Sequence, residues 1–203
     1  MKRTKAAAEQ TRQDIIRAAL SLFSRNGYSH TTLARIGAEA GYSRGPIYWH
    51  FRNKDDLYHE VLRYSQEPLE QLVEEASGHT GDPTKAIDTF VRHWLNLLVE
   101  DDWFRQSFEI LLNKTELTDA MAVTLAREKA LTVSVVNCLE SLVAEGQNKK
   151  LVSTTQEPKN LALLIYSTLM GITQSWLFAP DLFNLDEKRD FFVDRIQQLL
   201  KFT

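Results

Sequence analysis

Gly41-Tyr42-Ser43-Arg44-Gly45-Pro46-Ile47-Tyr48-Trp49-His50-Phe51 decides how this chain folds. It reads as a tight turn followed by a short helix. Gly41 suits the left-handed position that stops a preceding helix, and Ser43 is a good N-cap for the next one. Pro46 then falls on the third helical residue, where no intrahelical donor is needed. At about 100° per residue, Ile47 and Phe51 share one face. Gly45, Pro46 and Trp49 point the opposite way, with Tyr48 and His50 on the flanks. A helix of about two turns buries one stripe, not its whole circumference. An outward Trp beside Arg44, Tyr48 and His50 is costly surface unless something large docks on it.

Upstream, Thr31-Thr32 can cap a short helix whose packing positions are Leu33, Ile36, Gly37 and Ala40. Helix, glycine-containing turn and second helix form a helix-turn-helix, whose second helix reads the major groove of DNA. Charge supports that reading. Residues 1–54 hold 10 Lys/Arg and 3 Asp/Glu, a net +7, whereas residues 55–203 hold 14 and 24, a net −10. The whole-chain value of −3 hides this asymmetry, and a basic head is the electrostatic footprint that DNA requires.

Residues 32–51, TLARIGAEAGYSRGPIYWHF, with Lys54 and Leu57 beyond them, resemble the DNA-binding domain of the TetR family of bacterial transcriptional regulators. The likeness is dense over about residues 9–62. It implies that Arg44 and Pro46 face bases and that Gly45 lies with them at the DNA. It implies that Tyr48, Trp49, His50 and Lys54 hold phosphates, and that Thr32 caps the first motif helix against the DNA backbone. The chemistry agrees: Arg grips a guanine edge with two bonds, and proline offers an apolar face to a thymine methyl. Gly37 stands where the family often has Ala, which is expected to loosen that helix.

The remaining sequence reads helical throughout, so the expected fold is all-α. An N-terminal three-helix DNA-binding domain, residues 1–54, is followed by a helical ligand-binding and dimerisation bundle, residues 55–203. Residues 2–8 read as a mobile basic arm and Thr11 to Arg25 as an amphipathic helix ended by Gly27. Lys54 to about Ala76 reads as one helix that Pro68 should kink or break. After the linker 77–83 come segments 84–100, 103–113, 118–147 (with Thr118 as cap), 158–179 and 185–202.

Other classes are disfavoured. The five histidines lack metal spacing, and there is no hydrolase motif or glycine-rich phosphate loop. No enzyme activity, metal or cofactor is expected. Cys138 is alone, which fits a reducing cytoplasm. The Lys-Arg-Thr-Lys-Ala start has no apolar run behind it, and no window is judged apolar enough to cross a bilayer, so no membrane partner is expected. The Asn113-Lys114-Thr115 sequon reads as chance.

Large aromatics with polar groups between them suit a small-molecule pocket in the second domain. The candidate lining is His93, Asn96, Phe104, Phe108, Leu112, Asn137, Tyr166 and Gln174. The tail 176–185, Arg12-Gln13, and Glu109, Lys114 and Glu116 are similar to AcrR/TtgR-type multidrug efflux repressors of the family. That likeness implies a repressor released from its operator by an effector, and Phe108 and Leu112 favour hydrophobic or aromatic effectors. Leu161, Leu164, Leu169, Trp176, Phe192 and Leu199 are the candidate homodimer interface. Two alternatives stay open: a regulator of a metabolic operon sensing a metabolite or acyl thioester, and an all-helical enzyme or carrier with a vestigial head.

Overall fold

The structure, a computed structural model, describes residues 5–114 and 122–201. The expected Thr118 cap, Glu116 and the C-terminal Phe202 lie outside the described residues. Every regular element among them is helical: α1 Lys5–Asn26, α2 Leu33–Glu39, α3 Arg44–His50, α4 Lys54–Ser77, α5 Pro83–Glu100, α6 Asp102–Glu109, α7 Ala122–Asn148, α8 Pro158–Phe178 and α9 Leu185–Gln198. A π turn, Ile110–Lys114, follows α6.

Two compact units result. One is Met1–Gln66 with Trp103–Leu125, and the other is Glu67–Asp102 with Ala126–Thr203. The boundary therefore falls at Gln66 rather than at Lys54, and the first unit recruits a later segment.

In the first unit, α1 begins at Lys5, so residues 5–8 are helix rather than arm. Ala6, Ala7 and Ala8 are the strongest helix formers, and Thr11 Oγ1 donates to the Ala7 carbonyl at 2.9 Å. The apolar spacing of α1 buries Ile15, Ile16, Ala19, Leu22 and Phe23. These meet Ile36, Ile47, Phe51, Leu57, Tyr58, Val61 and Leu62 in one core that also takes in Ile110 from the π turn. Each fully buried Ile, Leu, Val or Phe among them contributes about 1.5–3 kcal/mol by leaving water. Gly27 and Gly41 have φ of 79° and 75°, the left-handed values that let α1 and α2 end in tight turns.

Buried Thr31 donates to the Gly27 carbonyl at 2.8 Å, leaving Thr32 as the cap that accepts from the Arg35 amide. Ser43 occupies the N-cap of α3 but makes no side-chain capping bond. Gly37 is a packing position rather than a loose point: a Cβ there would lie 2.6 Å from Ile47 Cδ1.

In the second unit, Asp82 caps α5 by accepting from the Thr84 amide, and Asn184 caps α9. Helix α5 packs against α8 and α9. Trp94 is fully buried, and its indole N–H donates to Thr173 Oγ1 at 3.1 Å, so its polar edge is satisfied. Helix α4 runs unbroken through Pro68, which lies just past the boundary between units.

The expectation about membrane-spanning windows is also corrected. An 18-residue window of α8 has mean hydropathy 1.4 and is apolar enough, by length and composition, to cross a membrane. Its Ser, Thr, Gly and Gln residues dilute the pattern to the eye without lowering that mean far. Only 33% of the window is buried within the chain.

Candidate nucleic-acid interface and effector clefts

Helix α3 is held by its inner stripe. Ile47 is 0% and Phe51 2% exposed, and the Phe51 amide closes the helix onto the Ile47 carbonyl at 2.8 Å. That anchoring turns the other face outward: Trp49 is 73% and Tyr48 59% exposed. Arg44 and Gly45 are exposed, and Pro46 and His50 are half-buried. The Trp49 and His50 rings meet edge to face at 4.5 Å. Nothing lies within 4 Å of where a Cβ on Gly45 would sit. The turn before α3 is pinned from two sides. The Tyr42 amide donates to the Gly37 carbonyl at 2.8 Å, and the Tyr42 hydroxyl donates to Asp14 on α1 at 2.8 Å.

Lys54, at the start of α4, has an internal role besides the one expected of it. Its ammonium donates to the Tyr28 carbonyl at 2.8 Å and sits 4.0 Å from the centroid of the Tyr28 ring. Burial lowers its pKa, against the opposing pull of Asp55. The Tyr28 hydroxyl donates to Asp55. Burial, then that bond, pushes the phenol well above its ordinary range.

The expected effector residues divide between the units. Phe104, Phe108 and Leu112 belong to the first unit, where Phe104 is buried edge to face with Phe108 at 5.0 Å and Leu112 is 38% exposed. His93 and Asn96 line an open cleft of about 300 Å³ in the second unit, with Pro68, Leu72, Glu75 and Glu100. His93 Nδ1 is 4.0 Å from Glu75, and Asn96 accepts a bond from Arg189. Asn137 lines a different cleft, about 510 Å³, with Ser77, His79, Cys138 and Glu145. Tyr166 and Gln174 are half-buried and line neither. Tyr166 sits edge-on to Trp94.

The expected dimer residues also divide. Leu161 and Leu169 are 5% and 0% exposed, so they face the interior of their own subunit and leave no surface for a partner. Trp176 and Phe192 are half-buried. Leu164 is 45% and Leu199 37% exposed. Phe191, which the last helix's apolar face also offers, is exposed, and so are Leu163, Phe178 and Leu182 on or beside α8 and α9, which the sequence reading did not assign to an interface. Helical periodicity was visible in both segments, but which stripe turns inward was not.

A short reading helix with an aromatic and basic outer face, carried on a three-helix head, defines a helix-turn-helix DNA-binding regulator. Residues 15–61 match the bacterial regulatory proteins of the tetR family, and residues 82–202 match the C-terminal region of MAATS-type transcriptional repressors. The HTH-type transcriptional regulator AcrR of Shigella flexneri is 32% identical over 192 residues, covering 94% of this chain and 89% of that one. Among solved structures, NalD, the secondary repressor of the MexAB-OprM multidrug efflux pump in Pseudomonas aeruginosa, superposes with TM-score 0.83 at 28% identity, over 97% of this chain and 98% of that one. A complex of SmeT with triclosan gives 0.81 at 26% identity, over 95% and 92%; SmeT is the repressor of the Stenotrophomonas maltophilia multidrug efflux pump SmeDEF. The chain belongs to the TetR family. It is a ligand-responsive, DNA-binding transcriptional regulator of a family that works typically as dimers, not an enzyme.

Proposed function

We propose that this chain represses a multidrug efflux operon in the cytoplasm and leaves its operator when a hydrophobic or aromatic small molecule binds. The observation that carries the reading is the likeness, over nearly the whole chain, to NalD and SmeT, each a repressor of a multidrug efflux pump. In this reading Arg44 takes a guanine edge and Pro46 a thymine methyl, while Gly45 lets the backbone come close. Tyr48, Trp49, His50 and Lys54 hold phosphates, and Thr32 fixes the end of α2 at the DNA backbone. The exposure of Thr32, Arg44, Gly45, Tyr48 and Trp49, with Pro46, His50 and Lys54 half-buried beside them, supports these roles. A two-fold dimer through the exposed residues of α8 and α9 brings two heads to half-sites about 34 Å apart.

By linkage, an effector that lowers operator affinity must itself bind more weakly to the DNA-bound protein by the same factor. Fluorescence anisotropy on the promoter region beside its own gene tests the reading, at two salt concentrations and with a panel of hydrophobic drugs and dyes. Salt-sensitive, sequence-selective binding that these compounds release is the expected result. Selective binding that none of them releases would move the effector to a metabolite.

A further inference from the structure

Where α1 crosses α4, a cluster of side chains is left unused by the DNA contacts above. Arg12 on α1 forms an ion pair with Glu60 on α4. Its other terminal nitrogen donates to the Tyr64 hydroxyl at 3.1 Å, and Gln13 donates to the same hydroxyl at 2.9 Å. Arg63 donates to the same Glu60 carboxylate at 3.2 Å and lies 4.3 Å from the centroid of the Tyr64 ring. The Arg12 guanidinium is 5.6 Å from the centroid of the Phe51 ring. Phe51 is the residue that closes α3. One guanidinium on α1 thus bonds α4 and overlies the anchor of the reading helix.

This is more than a surface ion pair of the kind that is worth little. The side chains of Arg12 and Glu60 are only 22% and 25% exposed. Burial disfavours the Glu60 carboxylate, but hydrogen bonds from Arg63 and Arg12 outweigh it and hold its pKa below the ordinary value. None of the three is suited to hold DNA itself. Glu60 is an anion, the Tyr64 hydroxyl already takes two donors, and the Arg12 guanidinium is committed to both.

The reading helix needs such support because it is short. Seven residues span roughly 10 Å. A tilt of about 10° at Phe51 would move Arg44 by about 2 Å, several times the tolerance of a bidentate base contact. Ile47 and Phe51 fix the depth of α3, but they leave its angle to whatever holds α1 and α4 around them.

We propose that Arg12, Glu60 and Tyr64 are positioning residues for DNA reading, a clamp that sets the angle of α3 and hence operator selectivity without touching DNA. The inference rests on α3 being the reading helix.

The test uses full-length protein and two duplexes of equal length: one selected by the wild-type protein from a random-sequence library, and one random. Affinity is measured over a salt series, with thermal melting alongside. Tyr64→Phe removes the hydroxyl at constant charge and keeps the ring. Arg12→Lys keeps the charge but replaces the rigid fork, whose two terminal nitrogens bond Glu60 and Tyr64 separately, with a single ammonium. Each should reduce the ratio of selected to random affinity by about five- to tenfold with an unchanged salt slope, because no phosphate contact is lost. Glu60→Gln should lower the same ratio even though losing a negative charge favours all DNA.

Unchanged ratios in folded Tyr64→Phe and Arg12→Lys proteins would make the cluster merely structural and overturn the proposal. A salt slope shallower by about one for Arg12→Gln, which removes the charge, would make Arg12 a phosphate contact and overturn it too. Arg44→Ala is the control. If it keeps full selectivity, the reading-helix assignment fails, and the clamp with it. Tyr64→Phe decides the matter should Glu60→Gln fail to fold.

Discussion

Two glycines four residues either side of Gly41 carry opposite consequences. Gly45 faces open space on an exposed helix, so an added methyl removes only the entropic penalty of glycine. Gly45→Ala should stabilise the fold by about 0.5–1 kcal/mol while weakening operator binding, because the methyl intrudes where DNA approaches. A higher melting temperature with unchanged DNA affinity would remove Gly45 from the interface. Gly37→Ala meets fully buried Ile47 instead and should cost about 1–3 kcal/mol by overpacking, despite the better helix propensity of alanine. Lys54 is tied into the fold independently of the phosphate contact proposed for it. Its bond to the Tyr28 carbonyl and its place over the Tyr28 ring add stability that a phosphate contact alone would not. Lys54→Ala should therefore lower thermal stability by about 1–3 kcal/mol as well as shallow the salt dependence. Arg44→Ala should leave stability intact and cost about 1–3 kcal/mol of operator affinity with relaxed base preference.

At the scale of elements, helix α7 carries a pH-sensitive group near its start. Burial raises the Glu128 carboxyl to about 7; Arg127 opposes the shift and Glu70 adds to it. Its ordinary value is 4.5, so the folded state binds the proton more tightly than the unfolded state does. Stability from this group is full below about pH 4.5, falls as pH rises through 7, and stays lost above that. Glu128→Gln should match wild type near pH 4.5 and melt at a higher temperature at pH 8, as thermal melts at the two pH values would show. An equal difference at both would mean the effect is packing, not titration. The helices themselves were largely legible in the sequence. Gly27, Gly41, Asp82 and Asn184 act locally, and the spacing of Ile15, Ile16, Ala19, Leu22 and Phe23 needs no distant partner. The N-terminal extension of α1 was missed because basic residues beside Ala6, Ala7 and Ala8 suggested an arm, while alanine propensity favoured helix. Lys54 to Ala76 was legible as one helix, but whether Pro68 breaks it was not, because a proline inside a helix costs stability that only surrounding packing can offset.

At the scale of the whole molecule, α8 and α9 leave Leu163, Leu164, Phe178, Leu182, Phe191 and Leu199 exposed, an apolar surface that a monomer rarely leaves uncovered. Leu164→Asp with Phe191→Asp should convert a dimer to a monomer in sedimentation velocity and weaken operator binding severely, since half-sites are then met one at a time. Persistence of the dimer would place the interface elsewhere. The amino-acid sequence by itself determined the helix-turn-helix, the outward face of α3, the split of charge between the two halves and the all-helical class. These follow from spacing within a few residues and from composition, which are complete before the chain folds. Only the tertiary structure decided that Ile110 enters the core of the DNA-binding head, that Arg12 finds Glu60, that Leu161 and Leu169 turn inward, and that the expected effector residues fall in two units. Periodicity gives each helix an apolar face but does not name what covers it. That choice depends on contacts between residues far apart in sequence, which exist only once the helices have packed.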